Sequence, residues 1–139
     1  MIHEDRRTKS RWLQSIKIHA MYVGELEREE ALAVEQLNRI KHCSVRGRDR
    51  ELLQTHRDGI RKIEHDIEAH RKATREILEA VQSIKKPQLS EVIRRHYIEG
   101  KPLDVIAEEM NYSTANVWRL HTAALDALQL PEGYGGPQA

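Results

Sequence analysis

Phenylalanine is absent from this chain, and two Trp and four Tyr bring the aromatic share of its 139 residues to only 4%. A thick core built on stacked rings is therefore excluded. A single cysteine, Cys43, rules out an intramolecular disulfide, and the lack of any CxxC pair removes the usual zinc-site spacings. No apolar run approaches the ~20 residues needed to span a bilayer. The polar start, Met1 to Arg11, has no apolar stretch of the signal-peptide kind. A cytoplasmic protein with no membrane association is expected. With a formal net charge of +1, coating of nucleic acid by bulk charge is excluded, so any such contact must come from a few well-placed side chains. There is no Gly-rich phosphate loop, no nucleophile–base spacing and no carboxylate pair set for acid–base work, so no enzyme and no cofactor are expected. Eight histidines invite a metal reading, but His42 with Cys43 and His65 with His70 have no four-ligand spacing, and no metal site is expected.

What the chain does have is charge, 32% of its residues, arranged at helical intervals. Between Ser10 and His42 only Gly24 interrupts a helix-compatible run, and between Asp49 and Lys86 only Gly59 does. The segment Cys43-Ser44-Val45-Arg46-Gly47-Arg48 reads as a turn. In the second run Leu53, His56, Ile60, Ile63, Ile67, His70, Thr74, Ile77, Val81 and Ile84 follow alternating steps of three and four, a heptad seam. The first run carries Trp12, Ile16, Val23, Leu26, Ala33, Leu37 and Ile40 at compatible spacings, with His19 and Glu30 in the gaps. Two such helices joined by a short turn predict an antiparallel, coiled-coil-like hairpin over residues 1–86. Its seam is narrow and calls for a partner: the C-terminal domain, a second copy, or both. His56, His70 and Thr74 either set register or are half-exposed and satisfied by water.

Past Pro87 the pattern shortens. Helical segments are expected over Leu89 to Ile98, Leu103 to Met110, and Ser113 to about Leu128. Ser90 or Gln88 can cap the first, whose apolar side is Leu89, Val92, Ile93 and Tyr97, and Gly100 stops it. Pro102 suits the start of the second, on which Leu103, Ile106 and Met110 face one way and Ala107 permits close crossing. Asn111 stands where a positive φ is needed, Tyr112 plugs the core and Ser113 caps the third helix. That helix buries Val117, Leu120, Ala124 and Leu128. It leaves Thr114, Ala115, Asn116, Trp118 and Arg119 outward near its N-terminal end, the helix-turn-helix arrangement whose second helix reaches base edges. Pro131 onward is too rich in Gly and Pro for regular structure, so 131–139 is expected as a flexible tail.

Tyr97, Leu103, Ile106, Ala107, Ser113, Val117, Leu120, Ala124, Leu125 and Leu128 give residues 87–130 a resemblance to region 4 of bacterial sigma factors. The layout as a whole resembles phage and prophage late-gene regulators of the ArpU/RinA type. The implied architecture is all-α, a long hairpin followed by a three-helix region 4-like domain. The implied function is sequence-specific binding of double-stranded DNA, with RNA polymerase as a further partner and a homodimer as the working form. Ser113, Thr114, Ala115, Asn116, Trp118 and Arg119 would form the recognition surface. Asn116 would take adenine, Thr114 and Ala115 a thymine methyl, and Arg119 a guanine or a phosphate. Arg94, Arg95 and Lys101 would clamp phosphates. Trp118 has two readings, stacking on the sugar–phosphate backbone or docking on the hairpin, and His121 is expected to pack beneath the helix. Clusters at Arg6, Arg7, Lys9 and Arg11 and at Arg46, Arg48 and Arg50 either track phosphates or are simply solvated. The recognition helix departs from the sigma pattern in carrying one cation, Arg119, and four basic against seven acidic residues from Pro87 onward leave that segment at −3. Two alternatives stay open: a packaging adaptor of the small-terminase kind, and a polymerase- or sigma-binding factor without DNA affinity of its own.

Overall fold

A computed structural model describes residues 2–43 and 47–134 and shows an all-helical chain, with no strand among the described residues. Helices α1 (Ile2–His42) and α2 (Gly47–Gln82) are long. The shorter helices α3 (Pro87–Ile93), α4 (Leu103–Met110) and α5 (Thr114–Ala127) follow, with a π-helical turn, Arg94–Ile98, continuing α3. None of these helices is long and apolar enough to cross a membrane.

Two boundaries differ from expectation. α1 starts at Ile2, so the polar segment ahead of the run from Ser10 is helical as well. Its straight-chain charged residues are good helix formers, and Trp12 and Leu13, at 5% and 0% exposure, anchor the run that follows. α2 starts at Gly47, so Gly47 and Arg48 belong to the helix and not to the turn. Glu51 follows close behind, an acid near the positive end of the helix dipole, which favours a start there. Ser44, Val45 and Arg46 of the expected turn lie outside the described residues.

The chain forms two compact units, one joining Met1–Ile18 to Ala73–Ala139 and the other His19–Lys72. The first holds two apolar clusters. In one, Trp12, Leu13 and Ile16 of α1 and Ile77 and Val81 of α2 are buried with Ile93 and Tyr97 from α3 and its π turn, and with Ala124 and Leu125 of α5. The lower ends of the two long helices thus find their partner in the C-terminal segment. In the other, Val92, Leu103, Ile106, Ala107 and Val117 bring α3, α4 and α5 together.

Four residues separate the end of α2 from Pro87, and Lys86 takes the extended conformation (φ −84°, ψ 117°) that a following proline imposes. Pro87 itself opens α3, and neither Ser90 nor Gln88 caps it. The fixed φ of proline suits the first helical position, which moves the start upstream of both candidates. Ser90 Oγ instead donates to the Val81 carbonyl at 3.1 Å, satisfying the end of α2. Of the expected tail, Pro131–Tyr134 form a turn closed by the Tyr134 N–H on the Pro131 carbonyl (3.1 Å). The Tyr134 ring packs against Trp12 with centroids 6.1 Å apart, so this part is anchored. Composition alone overlooked that ring, and Gly135, Gly136 and Pro137 lie outside the described residues.

In the second unit the seam positions carry the burial. Leu37, Leu53 and Ile67 are buried, while Val23, Leu26, Ala33, Ile40, His56, Ile60 and Ile63 are half-buried. His19 and His70 meet Nδ1 to Nδ1 at 2.9 Å, and Tyr22 stacks on the His70 ring at 5.1 Å. Arg71 donates to Glu27 at 3.2 Å. Of the two readings of the seam histidines, the structure gives His70 a protein partner.

Candidate nucleic-acid interface

Three residues join α4 to α5, and each has a job set by its chemistry. Asn111 ends α4 in the left-handed conformation (φ 58°, ψ 41°), which asparagine tolerates better than most side chains. Its N–H and that of Tyr112 return to carbonyls of α4, the latter on Ala107 at 2.9 Å. Tyr112 is half-buried against the α3–α4–α5 cluster. Ser113 takes an extended conformation, and its Oγ accepts the Asn116 N–H at 3.1 Å, a side-chain N-cap. Gly100, at φ 76°, terminates the preceding π turn in the same left-handed manner.

α5 then divides cleanly. Val117, Ala124 and Leu125 are buried, with Leu128 just beyond, and Leu120 is half-buried. Thr114, Ala115 and Arg119 are exposed, Asn116 is half-buried, and Trp118 stands 56% exposed. The structure therefore brings the six expected recognition residues onto one end of one helix. Trp118 is solvent-facing, in edge contact with His121 (6.0 Å) and forming a wall of a shallow groove of about 390 Å³ with His96, Pro102, Leu103 and Thr114. Arg119 Nη2 donates to Asn116 Oδ1 at 3.3 Å.

The expected phosphate clamps are arranged differently. Arg94 donates from Nε to Glu91 at 2.9 Å and also pairs with Glu99. Arg95 Nη1 lies 2.7 Å from Glu109, and Lys101 Nζ lies 2.9 Å from Glu109 and 3.1 Å from Glu99. The three cations and three carboxylates form one network of near-zero net charge. Its hydrogen bonds hold the Glu91 and Glu109 carboxyls below the ordinary carboxylate range, through Arg94 and Lys101 respectively. A phosphate would have to compete with these partners.

The N-terminal cations also split. Arg6 grips Asp126 of α5 with two bonds, 2.7 and 2.8 Å. Lys9 is 7% exposed, with Asp5 at 3.0 Å and the Asp126 carbonyl at 3.5 Å. Arg7 and Arg11 are exposed. Of the other basic cluster, Arg46 lies outside the described residues, and Arg50 is exposed on α2.

Beneath α5 runs a polar chain that sequence reasoning found only in part. His121 sits half-buried, stacked on Tyr97 at 5.7 Å, and its Nε2 is 2.8 Å from the Tyr97 hydroxyl. That hydroxyl also meets Ser10 Oγ at 2.9 Å. Burial, with a smaller contribution from nearby His96, pushes the His121 imidazole down to about 4. It is thus neutral at physiological pH, and the Tyr97 hydroxyl links it to Ser10 through two hydrogen bonds. His96 Nδ1 in turn donates to the Lys101 carbonyl at 2.7 Å. The packing of His121 follows from its place on α5, but Ser10 and Arg6 are separated from their partners by 87 and 120 residues, beyond any spacing rule. Among the described residues no group of three or more His, Cys, Asp or Glu is placed to hold a metal ion.

No protein-family model matches this chain, and neither does any curated protein or solved structure.

Proposed function

We propose that this chain is a sequence-specific, double-stranded DNA-binding transcription regulator of phage or prophage origin that acts with RNA polymerase at a promoter. The observation that carries the reading is α4, a three-residue turn and α5. The turn is fixed by Asn111 and Ser113, and the exposed start of α5 presents Thr114, Ala115, Asn116, Trp118 and Arg119. A capped helix with polar and apolar groups at its leading end is the form that enters a major groove. This is the region 4-like part of the reading. α1 and α2 are read as an antiparallel hairpin, because Trp12 and Ile16 of α1 share a cluster with Ile77 and Val81 of α2, whereas the later His19 meets the earlier His70. Its exposed Met21, Tyr22 and Leu32 (53%, 43% and 61%) support pairing with a second copy.

The internal pairing of Arg94, Arg95 and Lys101 favours one version of this reading, in which polymerase supplies affinity that phosphate contacts do not. The test is promoter binding by the full chain, with and without RNA polymerase, for wild type, Asn116→Ala and Arg119→Ala. Both substitutions are expected to abolish specific retardation while leaving helicity intact. Binding only with polymerase marks the accessory-factor version, and unchanged binding by both variants removes α5 from the interface. A ring of many subunits in solution would favour a packaging adaptor over a dimeric regulator.

A further inference from the structure

We infer that α1 pairs with α1 of a second copy in the antiparallel sense, in the one register that sets Met21 against Leu32 and Glu25 against Arg28. Pairing with a second copy belongs to the reading above, on which this rests; the contacts, direction and register go beyond it. Burial divides α1 into two stripes. Val23, Leu26, Glu30, Ala33 and Leu37, at steps of three and four, are buried or half-buried and form its seam. On the far side Met21, Glu25, Arg28 and Leu32 repeat those steps and are all exposed, Met21 at 53% and Leu32 at 61%. A stripe with that period is a second helix-pairing surface. Gly24 and Ala31 lie along its edge, where small side chains let another helix come close. Arg28 Nη1 reaches back over Gly24, 3.7 Å from where a Cβ would stand. Glu35 and Glu27 are engaged by Arg39 and Arg71, but Glu25 and Arg28 form no ion pair among the described residues.

The order of the exposed stripe is apolar, acidic, basic, apolar, which is complementary to itself when reversed. An antiparallel partner therefore brings Met21 to Leu32 and Glu25 to Arg28, and the two-fold axis repeats each pair. Gly24 then faces Ala31 along one edge. A parallel partner would stack Glu25 on Glu25 and Arg28 on Arg28, two adjacent layers of like charge. Sliding the antiparallel pair by one heptad loses the Met21–Leu32 contact and sets a charge against Met21 or Leu32. The charges thus select direction, and the apolar ends select register. Charged residues at core positions fix a pairing at a cost in strength, so the dimer is concentration-dependent.

The experiment measures the dimer dissociation constant of the full chain by analytical ultracentrifugation, for wild type, Glu25→Arg, Arg28→Glu and the double exchange. All four positions of the stripe are exposed, and circular dichroism checks that helicity is retained. Each single exchange turns two attractive pairs into two repulsive ones and is expected to weaken the dimer about tenfold or more. The double exchange is expected to return it to near the wild-type value. Direction is read by oxidation of single-cysteine chains in which the exposed Cys43 is replaced by Ser. Met21→Cys mixed with Leu32→Cys is expected to form the mixed disulfide. Met21→Cys alone is expected to form none, because its two copies lie roughly 16 Å apart along the helix, beyond the reach of a disulfide. Disulfides within Met21→Cys alone would mean a parallel pair and overturn the inference while leaving the dimer. A dimer indifferent to both charge exchanges would place the contact on another surface, with the same consequence. A chain that stays monomeric at every concentration would overturn the dimeric part of the reading above as well, leaving its DNA-binding part to the promoter assay.

Discussion

The two compact units reach order by different means. In the unit made from the chain ends and α3–α5, Leu13, Ile77, Ile93, Ile106 and Val117 are sealed from solvent in two clusters, and the backbone is punctuated by left-handed Gly100 and Asn111. In the unit made from His19–Lys72 the seam is one side chain wide. Ile60 and Ile63 stay half-exposed, and a histidine pair stands where an apolar layer would otherwise be. Dense burial on several sides lets the first unit present an exposed Trp118 and a capped polar turn without loss of order. The second has no such reserve, which suits a segment that completes its packing on a partner.

The largest effect that separates the units is a core truncation in each. Ile106→Ala, at a position with 0% exposure, is expected to cost about 2–5 kcal/mol in denaturant unfolding. Ile63→Ala, half-buried, is expected to cost about 1 kcal/mol, and equal losses would erase the contrast.

Acid comes next. His121 is lowered to about 4 from an ordinary 6.5, so the unfolded chain binds the extra proton between those values. Its contribution to stability is complete above about pH 6.5 and is lost as pH falls toward 4. Allowing for solvent screening of a half-buried ring, the loss is about 1–2 kcal/mol. His121→Gln should flatten that slope in a pH series of urea melts. Burial and His70 lower His19 as well, so the second unit weakens in the same direction, and a pH-independent His121→Gln profile would argue against the His19 contribution.

The smallest effects concern glycines. A Cβ at Gly59 meets nothing within 4 Å, so Gly59→Ala is expected to stabilise α2 by about 0.5–1 kcal/mol. Gly100→Ala has the opposite sign, because a φ of +76° is strained for alanine and its Cβ would come within 2.8 Å of Lys17 Nζ. A thermal melt of each variant reads both signs.

How much of this was legible in the sequence follows the range of the interactions involved. α4 appears at its expected bounds, and Gly100, Asn111 and Ser113 do the expected turn chemistry, since caps and positive-φ residues act over a few positions. Each position of the α2 seam is buried or half-buried, as a sustained period requires. The same local reasoning failed at Ser90, where two local rules competed and proline at the first helical position won. Neither reading of Arg6 and Lys9, tracking phosphates or simply solvated, included their contacts with Asp126, because nothing near them in sequence reveals it. For the candidate interface, helical geometry placed Asn116, Trp118 and Arg119 on one end of α5. The network around Arg94, Arg95 and Lys101 was hidden because its carboxylates come from α3, the bend after the π turn and α4. The His19–His70 pair was likewise invisible to a search by spacing, at 51 residues apart.

The central claim, that the leading end of α5 reads DNA, is tested most directly by a footprint of the full chain on its own gene neighbourhood. The footprint is taken with and without RNA polymerase, for wild type and Asn116→Ala. The account predicts protection by wild type that is lost in Asn116→Ala, strengthened by polymerase and, for a dimer, spread over two half-sites about one helical turn apart. Identical protection by wild type and Asn116→Ala, or none by wild type under either condition, would contradict it.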